Sequence, residues 1–451
     1  MTQLGEAIAR YHKLIQSEPY KDLSWVESLR EQMAQAHLTP ASRPIVFLRP
    51  HFLTRRQYEA LVKAAETLLS AIERLKQMAL SDPALLARIE LLPAEKMLAA
   101  IDPGYPFLTV TSLLDTHLND GSIHCVDYNA DTAASIAQAA VLADLFYECS
   151  LMKQFRRQHK VSKLSDTKHL VHSVLTAYKE FGGKRKPRVG VLEFRQPFQS
   201  AESSEDILLC EIFRNHGCPA AVVAPDQLEY KQGVLRQGEF VMDLVFRRVK
   251  VHEFLLRFDL SHPLVRAYRD RAVCVVNSFR SELADKKAIF ALLTDESVTA
   301  GFPAAEKKAI REFVPWTRVV APVQTTYQGK KVDLLDFILK NREKLVLKPN
   351  DDSAEQHSFR GWQTNDAGWE RALRVASRNT YVVQERVEPV ISLFPLFRYG
   401  QLEMKELQVD VYPHAYLGKI QGCSTWLTDP NPGSFSSVAG LTPTYILENK
   451  S

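Results

Sequence analysis

Four short apolar runs alternate with helical and polar stretches between residues 188 and 280, and they constrain the fold more than any other feature of the chain. The runs are RVGVLEF, PAAVVAP, FVMDLVFRRV and RAVCVVNSF, and a helical segment at 204–216, closed by Gly217, separates the first two. Buried strands alternating with helices over roughly a hundred residues build a small parallel sheet with helical crossovers. Gly182-Gly183 and Pro187 mark the start of the unit.

A chain of 451 residues exceeds one ordinary core, so two or three packed units are expected. Residues 1–100 read as helices. Leu4, Ile8, Tyr11 and Ile15 fall at helical spacing, and 58–80 carries Leu61, Ala64, Ala65, Leu68, Leu69, Ile72 and Leu75 on one side. Pro40, Pro44 and Pro50 divide these blocks. FLTVTSLLD and SIHCVDYN read as two strands around an Asn-Asp-Gly turn. Helices follow at 133–158 and 165–181, and, beyond the parallel unit, at 281–294, 304–313 and 332–341. KLVLKP and TYVVQERV are strands that lead into an antiparallel C-terminal region.

Composition excludes several functions. The chain is 45% hydrophobic and 24% charged, as soluble globular proteins are. A net charge of +4 gives no polyanion-binding face, and KRKPR at 184–188, beside the Gly-Gly turn, reads as a solvated linker; no nucleic-acid partner is expected. The longest apolar run, IAQAAVLADLF at 136–146, is too short for a bilayer and carries Asp144. The six cysteines show no CxxC and no Cys/His ligand spacing, which fits a reduced compartment without zinc. MTQLGEAIARYHKLIQ lacks the apolar centre of a signal peptide, so a cytoplasmic protein is expected.

Several segments carry residues suited to phosphate and metal chemistry. Lys348 ends an apolar strand, where an ammonium can pair with a nucleotide phosphate or simply face solvent. YVVQERVEP ends in Gln384-Glu385, which suits an adenosine edge as well as an ordinary central strand. VDYN sets Asp127 and Asn129 on one strand face, two oxygen donors of the kind Mg2+ takes, although such a pair alone is more often a turn. Arg247-Arg248 ends DLVF, and alternation sends one guanidinium to a cleft and the other to solvent. ELADKKAIFALL places Lys286 and Lys287 in a helical first turn, where the helix dipole disfavours cations unless an anion is near.

Taken in order, VDYN, DLVFRR, VNSFRSELADKKAIFALL, VPWTR, LVLKPNDD, YVVQERV and DVYPHAYLGKIQG resemble the circularly permuted ATP-grasp proteins. Within them the match is to the group related to glutathionylspermidine synthase and eukaryotic-type glutathione synthetase. It runs from about residue 20 to the C-terminus and is most specific over 240–410. The resemblance implies an α+β and α/β architecture of four parts. These are an N-terminal helical region (1–100), the permuted first part of the ATP-grasp unit (101–187), an inserted parallel-sheet substrate domain (188–282) and the nucleotide-binding part (283–451). It also implies an ADP-forming ligase that joins a carboxylate to an amine through an acyl phosphate, with ATP and Mg2+ as cofactors. Carried over by position, Asp127, Asn129 and Asp352 are metal ligands, and Lys348 with Lys286 or Lys287 meets the phosphates. Gln384, Glu385 and Val387 hold the nucleotide, Arg247, Arg248 and Arg280 serve the acyl group, and Asp115 matches an aspartate of the family's R-x-D strand.

The chain departs from the family at several points. The loop after Lys348, where the family has glycines, reads SAEQHS at 353–358, and only glycine gives backbone amides that close approach freely. Leu113 and Trp426 stand where the family has arginines, the glycine-rich tail is reduced to SSVAGLTP, and NADTAAS replaces the segment after the Glu-x-Asn pair. Losing a single donor at a developing oxyanion costs about two to three decades in rate. His357, Arg360 and Arg280 are the nearest substitutes. Two functions follow: a ligase retuned to an unusual acid, or a catalytically impaired homologue that acts as a scaffold or regulatory partner of another protein.

Overall fold

The computed structural model describes residues 2–38, 46–119, 121–132, 135–164, 167–195, 204–351, 358–430 and 437–449. Asp352 and His357 lie outside these residues, as do most of the SAEQHS loop and Asp120 of the expected turn.

A nine-stranded sheet forms the largest body. Its path runs Val46–Phe47, Ile391–Arg398, Gln401–Tyr416, Lys419–Thr428, Ala439–Leu447 and His51–Thr54. Thr111–Asn119 pairs with both Gln401–Tyr416 and Ser122–Asn129, while Val161–Lys163 pairs with Ala439–Leu447. His51–Thr54 runs parallel to Ala439–Leu447, and the other described pairs are antiparallel. Period-two alternation explains how this sheet serves two purposes. In Gln401–Tyr416, Leu407, Val409 and Val411 enter a core with Phe394, Leu396, Leu427 and Leu61. The intervening Gln408, Asp410 and Tyr412 face a cavity on the other side.

The expected parallel sheet is present. Its order is Cys274–Val276, Leu244–Arg247, Val189–Leu192 and Ala220–Val223, with every pair parallel. Val189–Leu192, Leu244–Arg247 and Cys274–Val276 are buried throughout, as strands covered on both faces must be. The chain contributes to the large sheet before this unit, at 111–129 and 161–163, and returns to it at 391–447.

A third, four-stranded antiparallel sheet has the order Thr317–Val319, Tyr381–Glu385, Leu345–Pro349 and Phe359–Arg360. Helices Leu334–Lys340 and Asp366–Ala376 supply Leu334, Ile338, Trp369 and Leu373 to its core. The indole of Trp369, 1% exposed, donates to Ile338 O at 2.9 Å, so the ring is buried without stranding its N–H.

Two expectations need correction. Residues 1–100 are not helices alone: Val46–Phe47 and His51–Thr54 join the two ends of the large sheet's path. Runs this short carry no readable period, so their partners far along the chain decide their conformation. The long helix does form, at Arg55–Ser81, and it opens with a capping box between Thr54 and Gln57. The expected helix at 281–294 is broken into Glu282–Asp285 and Ala288–Leu293. Asn350 causes the break, because its carbonyl accepts from Lys287 N at 3.2 Å and its side-chain oxygen from Ala288 N at 2.8 Å. Lys286 turns extended at the joint, which sends it and Lys287 to different surroundings.

Candidate functional site

The hairpin of Thr111–Asn119 and Ser122–Asn129 sets Asp115 opposite Asp127 and Leu113 opposite Asn129. A cavity of about 510 Å³ lies between this face of the large sheet and the third sheet. Asp127, Asn129, Lys287, Lys348, Gln384, Glu385 and Val387 all line it, so the structure brings these expected residues together.

At one end the charges are matched. Asp127 Oδ2 lies 3.1 Å from Lys287 Nζ, and its Oδ1 accepts from Tyr128 N at 3.0 Å. Lys348 Nζ donates to Val126 O at 3.1 Å. Burial pushes the Asp127 carboxyl up, but Lys287 and Lys348 together hold it below the usual carboxylate range. Tyr381–Glu385 is a central strand of its sheet: Gln384 pairs with Thr317 and Val346, and Glu385 with Leu345. The Gln384 amide, 3% exposed, donates to Thr317 Oγ1 at 3.2 Å, and Glu385 Oε1 accepts from Tyr327 Oη at 2.8 Å. Val387 follows the end of that strand, half-buried.

The remaining expected residues stand elsewhere. Lys286, its side chain 1% exposed, meets Glu95 at 2.8 Å, Glu282 at 2.9 Å and Asp351. Burial lowers its affinity for a proton, but Glu282, Asp351 and Glu95 outweigh that and hold it above the ordinary lysine value. Of the pair, Lys287 is the cavity lysine.

Neither Arg247 nor Arg248 reaches the cavity or faces open solvent, against the expectation that alternation sends one to a cleft and the other to solvent. Arg247 is fully buried against Asp131, and it donates to Val249 O at 2.7 Å, Ser281 Oγ at 3.0 Å and Asn277 O at 3.2 Å. Arg248 is 12% exposed and pairs with Asp206 at 2.7 Å and Glu193 at 3.5 Å. Both sides of this strand end are covered, so alternation selects between two interiors. Arg280 donates to Ala99 O at 3.0 Å. Arg360 does line the cavity. Leu113 lies in the hydrophobic core, 5% exposed, whereas Trp426 forms part of the cavity wall without filling it.

Sequence reasoning missed the group around Asp115. His117 and Asp410 line the same cavity, with His117 Nε2 3.2 Å from Asp410 Oδ1. Ligand atoms of Asp115, His117 and Asp410 all lie within 4.8 Å of one another. The signal for His117 was present, since it follows Asp115 by two on one strand. Asp410 comes from a strand distant in sequence, and nothing local links it to them. Burial, then the nearby Asp410 carboxylate, pushes Asp115 up to about 7. Burial pulls His117 down, but its hydrogen bond to Asp410 and the charge of Asp115 leave it raised.

The Asp115 shift fixes the sign of a stability effect. A carboxyl whose folded pKa exceeds its unfolded value stabilises the fold at low pH and loses that contribution as pH rises through the folded value. Asp115→Asn should therefore differ little from the parent at pH 4, near the unfolded value, gain on it as pH rises to about 7, and be more stable by at least about 2 kcal/mol at pH 8. Urea unfolding across this pH range checks this; a gap that fails to widen with pH would refute the assignment.

Neither a protein-family model nor a curated protein matches the chain. Among solved structures, it is similar to a glutathione synthetase-like effector (GSS30) from Globodera pallida in apo form, with a TM-score of 0.62 at 14% identity over 96% of this chain and 99% of that one. A putative gamma-glutamylcysteine synthetase from Methylobacillus flagellatus aligns at a TM-score of 0.43 and 11% identity over 86% of each chain. The chain thus has the fold of a glutathione synthetase-like protein, the relation its ordered motifs anticipate.

Proposed function

We propose that the chain is an ADP-forming carboxylate–amine ligase of the ATP-grasp type, acting through an acyl phosphate on a small acid or peptide. The observation that carries this is the convergence of Asp127, Asn129, Lys287, Lys348 and the Gln384–Val387 segment on one cavity. The donor set fits the cofactors. Asp127 and Asn129 are hard oxygen donors on one strand face, and Asp127 stays ionised between two lysines. In this proposal Asp127 and Asn129, with Asp352, would hold Mg2+, and bound MgATP supplies the phosphoryl group that activates the carboxylate.

Lys287 and Lys348 neutralise phosphate charge as point cations, from positions already fixed by Asp127 and Val126 O. Glu385 and Val387 border the nucleoside end. Arg360 and Arg386 are the arginines that line the cavity, and they take the acyl-group role first expected of Arg247, Arg248 and Arg280. The proposal includes a circular permutation, with 101–187 and 283–451 as the two parts of the nucleotide unit and 188–282 as an inserted substrate domain. It also includes a cytoplasmic location, supported by six buried cysteines that form no disulfide. No helix among the described residues is long and apolar enough to cross a membrane.

A second function, an impaired homologue acting as a scaffold or regulatory partner, is favoured by one observation: Arg247, Arg248 and Arg280 all have internal partners. Calorimetry with ATP and ADP, with Mg2+ and then with chelator, separates the two. The ligase predicts Mg2+-dependent binding that weakens at least about tenfold in Lys348→Ala, the loss of one charged hydrogen bond. It further predicts phosphate release once an acid and an amine are supplied. Absence of nucleotide binding at millimolar concentration would leave the scaffold.

A further inference from the structure

Away from the cavity, one buried group of charges is out of balance. Lys286 Nζ meets Glu95 Oε1 at 2.8 Å, Glu282 Oε1 at 2.9 Å and Asp351, so three carboxylates share one ammonium. Among the described residues no other lysine or arginine forms an ion pair with any of the three. Glu95 is 0% exposed and Glu282 3%, while the Asp351 side chain reaches solvent at 22%. Carboxylates withdrawn from water in this way need matching positive charge, and one ammonium does not match three. Neither these acids nor Lys286 line the nucleotide cavity.

Two orphaned atoms mark what the group lacks. Glu282 Oε2 is buried and accepts no hydrogen bond, and Nδ1 of His252, in the helix Val251–Leu255, is buried without a partner. Burial, then the Asp131 carboxylate, pushes Glu282 well above the ordinary carboxyl range, so it keeps a proton where a cation is wanting. The imidazole completes a donor set. One ligand atom each from Glu95, His252 and Asp351 lies within 4.8 Å of the others. Glu95 is already oriented, because its Oε2 accepts from Leu92 N at 2.8 Å and leaves Oε1 toward the group. Two carboxylates and an imidazole suit a first-row transition ion, whereas Mg2+ takes oxygen donors. With one divalent ion added to Lys286, the three carboxylates are matched. The three donors come from elements far apart in the chain, which is why no ligand spacing shows in the sequence.

We propose that Glu95, His252 and Asp351 form a binding site for a divalent transition-metal ion of the zinc type, and that Lys286 is left to Glu282 when the ion binds. Water completes the coordination shell from the side where Asp351 and His252 are partly exposed, and the proton held by Glu282 leaves to solvent. The ion's role is structural. It ties the helix Pro93–Ala100 and the helix Val251–Leu255, which follows a parallel-sheet strand, to the end of Leu345–Pro349 in the third sheet. The site is separate from the Mg2+ position at Asp127 and Asn129 and does not depend on the ligase reading.

The test uses the full chain, stripped with chelator and free of nucleotide. It is titrated with Co2+ and followed by visible absorbance, with Zn2+ and Mg2+ as competitors. Co2+ should bind, an equal amount of Zn2+ should displace it, and a large excess of Mg2+ should not. His252→Gln and Asp351→Asn, at partly exposed positions, should each weaken Co2+ binding by at least about tenfold. Zn2+ should raise the melting temperature of the parent and leave that of His252→Gln unchanged, and unfolding in chelator shows that each variant is folded. His117→Gln, in the cavity, should keep the Co2+ signal. Absence of Co2+ binding, displacement by Mg2+ as readily as by Zn2+, or undiminished binding by folded His252→Gln overturns the proposal. Loss of the signal in His117→Gln also overturns it, because the ion then sits with Asp115 and Asp410 in the cavity.

Discussion

Arg247→Ala should cost about 3–5 kcal/mol of folding stability, enough to leave most of the protein insoluble or unfolded. The Arg247 and Asp131 side chains are both 0% exposed. The guanidinium also donates to Val249 O, Asn277 O and Ser281 Oγ, and Asp131 accepts from Val251 N at 2.8 Å and Ser281 Oγ at 2.7 Å. This cluster fastens the end of a parallel-sheet strand to the segment that leaves the large sheet's hairpin. Asn277 reinforces the same junction, accepting from Val110 N at 2.9 Å and Thr111 N at 3.0 Å and donating to Ala130 O at 2.9 Å. Removing one partner strands the other as a bare buried charge, which is why a single truncation costs more than the pair contributes. The double variant Asp131→Ala/Arg247→Ala should accordingly lose less than the sum of the two single losses. Urea unfolding of the four proteins measures the coupling; strict additivity would mean that the two charges do not act as a pair.

The adjacent lysines should separate stability from binding. Lys286→Met leaves Glu95, Glu282 and Asp351 without their shared cation, two of them nearly inaccessible to water, and should cost about 3–5 kcal/mol. Lys287→Met should cost only about 1 kcal/mol, because Lys348 still acts on Asp127. Its effect should fall on nucleotide, with Mg2+-ATP affinity reduced at least about tenfold. Thermal unfolding and calorimetry on both variants read the two effects separately. A stable Lys286→Met protein that has lost nucleotide binding would reverse the assignment of the pair.

What was legible in the sequence was whatever depends on spacing along one element. Period-two alternation placed Asp127 and Asn129 on a common face, and an apolar run ending in lysine placed Lys348 at a strand end. Short apolar runs between helices predicted the parallel sheet. These readings needed no distant partner, because backbone geometry alone sets which side chains share a face. Tertiary structure decided the rest. Alternation said that Arg247 and Arg248 diverge, but only packing showed that both directions lead inward. Helical periodicity ran Lys286 and Lys287 into one helix, but Asn350, far along the chain, broke it and gave the two lysines opposite roles. His117 and Asp410 carry no mutual signal in the sequence, because the register between strands of different hairpins sets their distance. The strands at 46–54 were invisible for the same reason: a segment of a few residues takes its conformation from the partner that hydrogen-bonds to it. By itself the sequence determined most of the elements, the faces of the strands and a resemblance carried by the order of its motifs. Only the tertiary structure decided which charges face the cavity and which are buried in pairs, because burial and pairing are properties of contacts between segments that the chain order keeps apart.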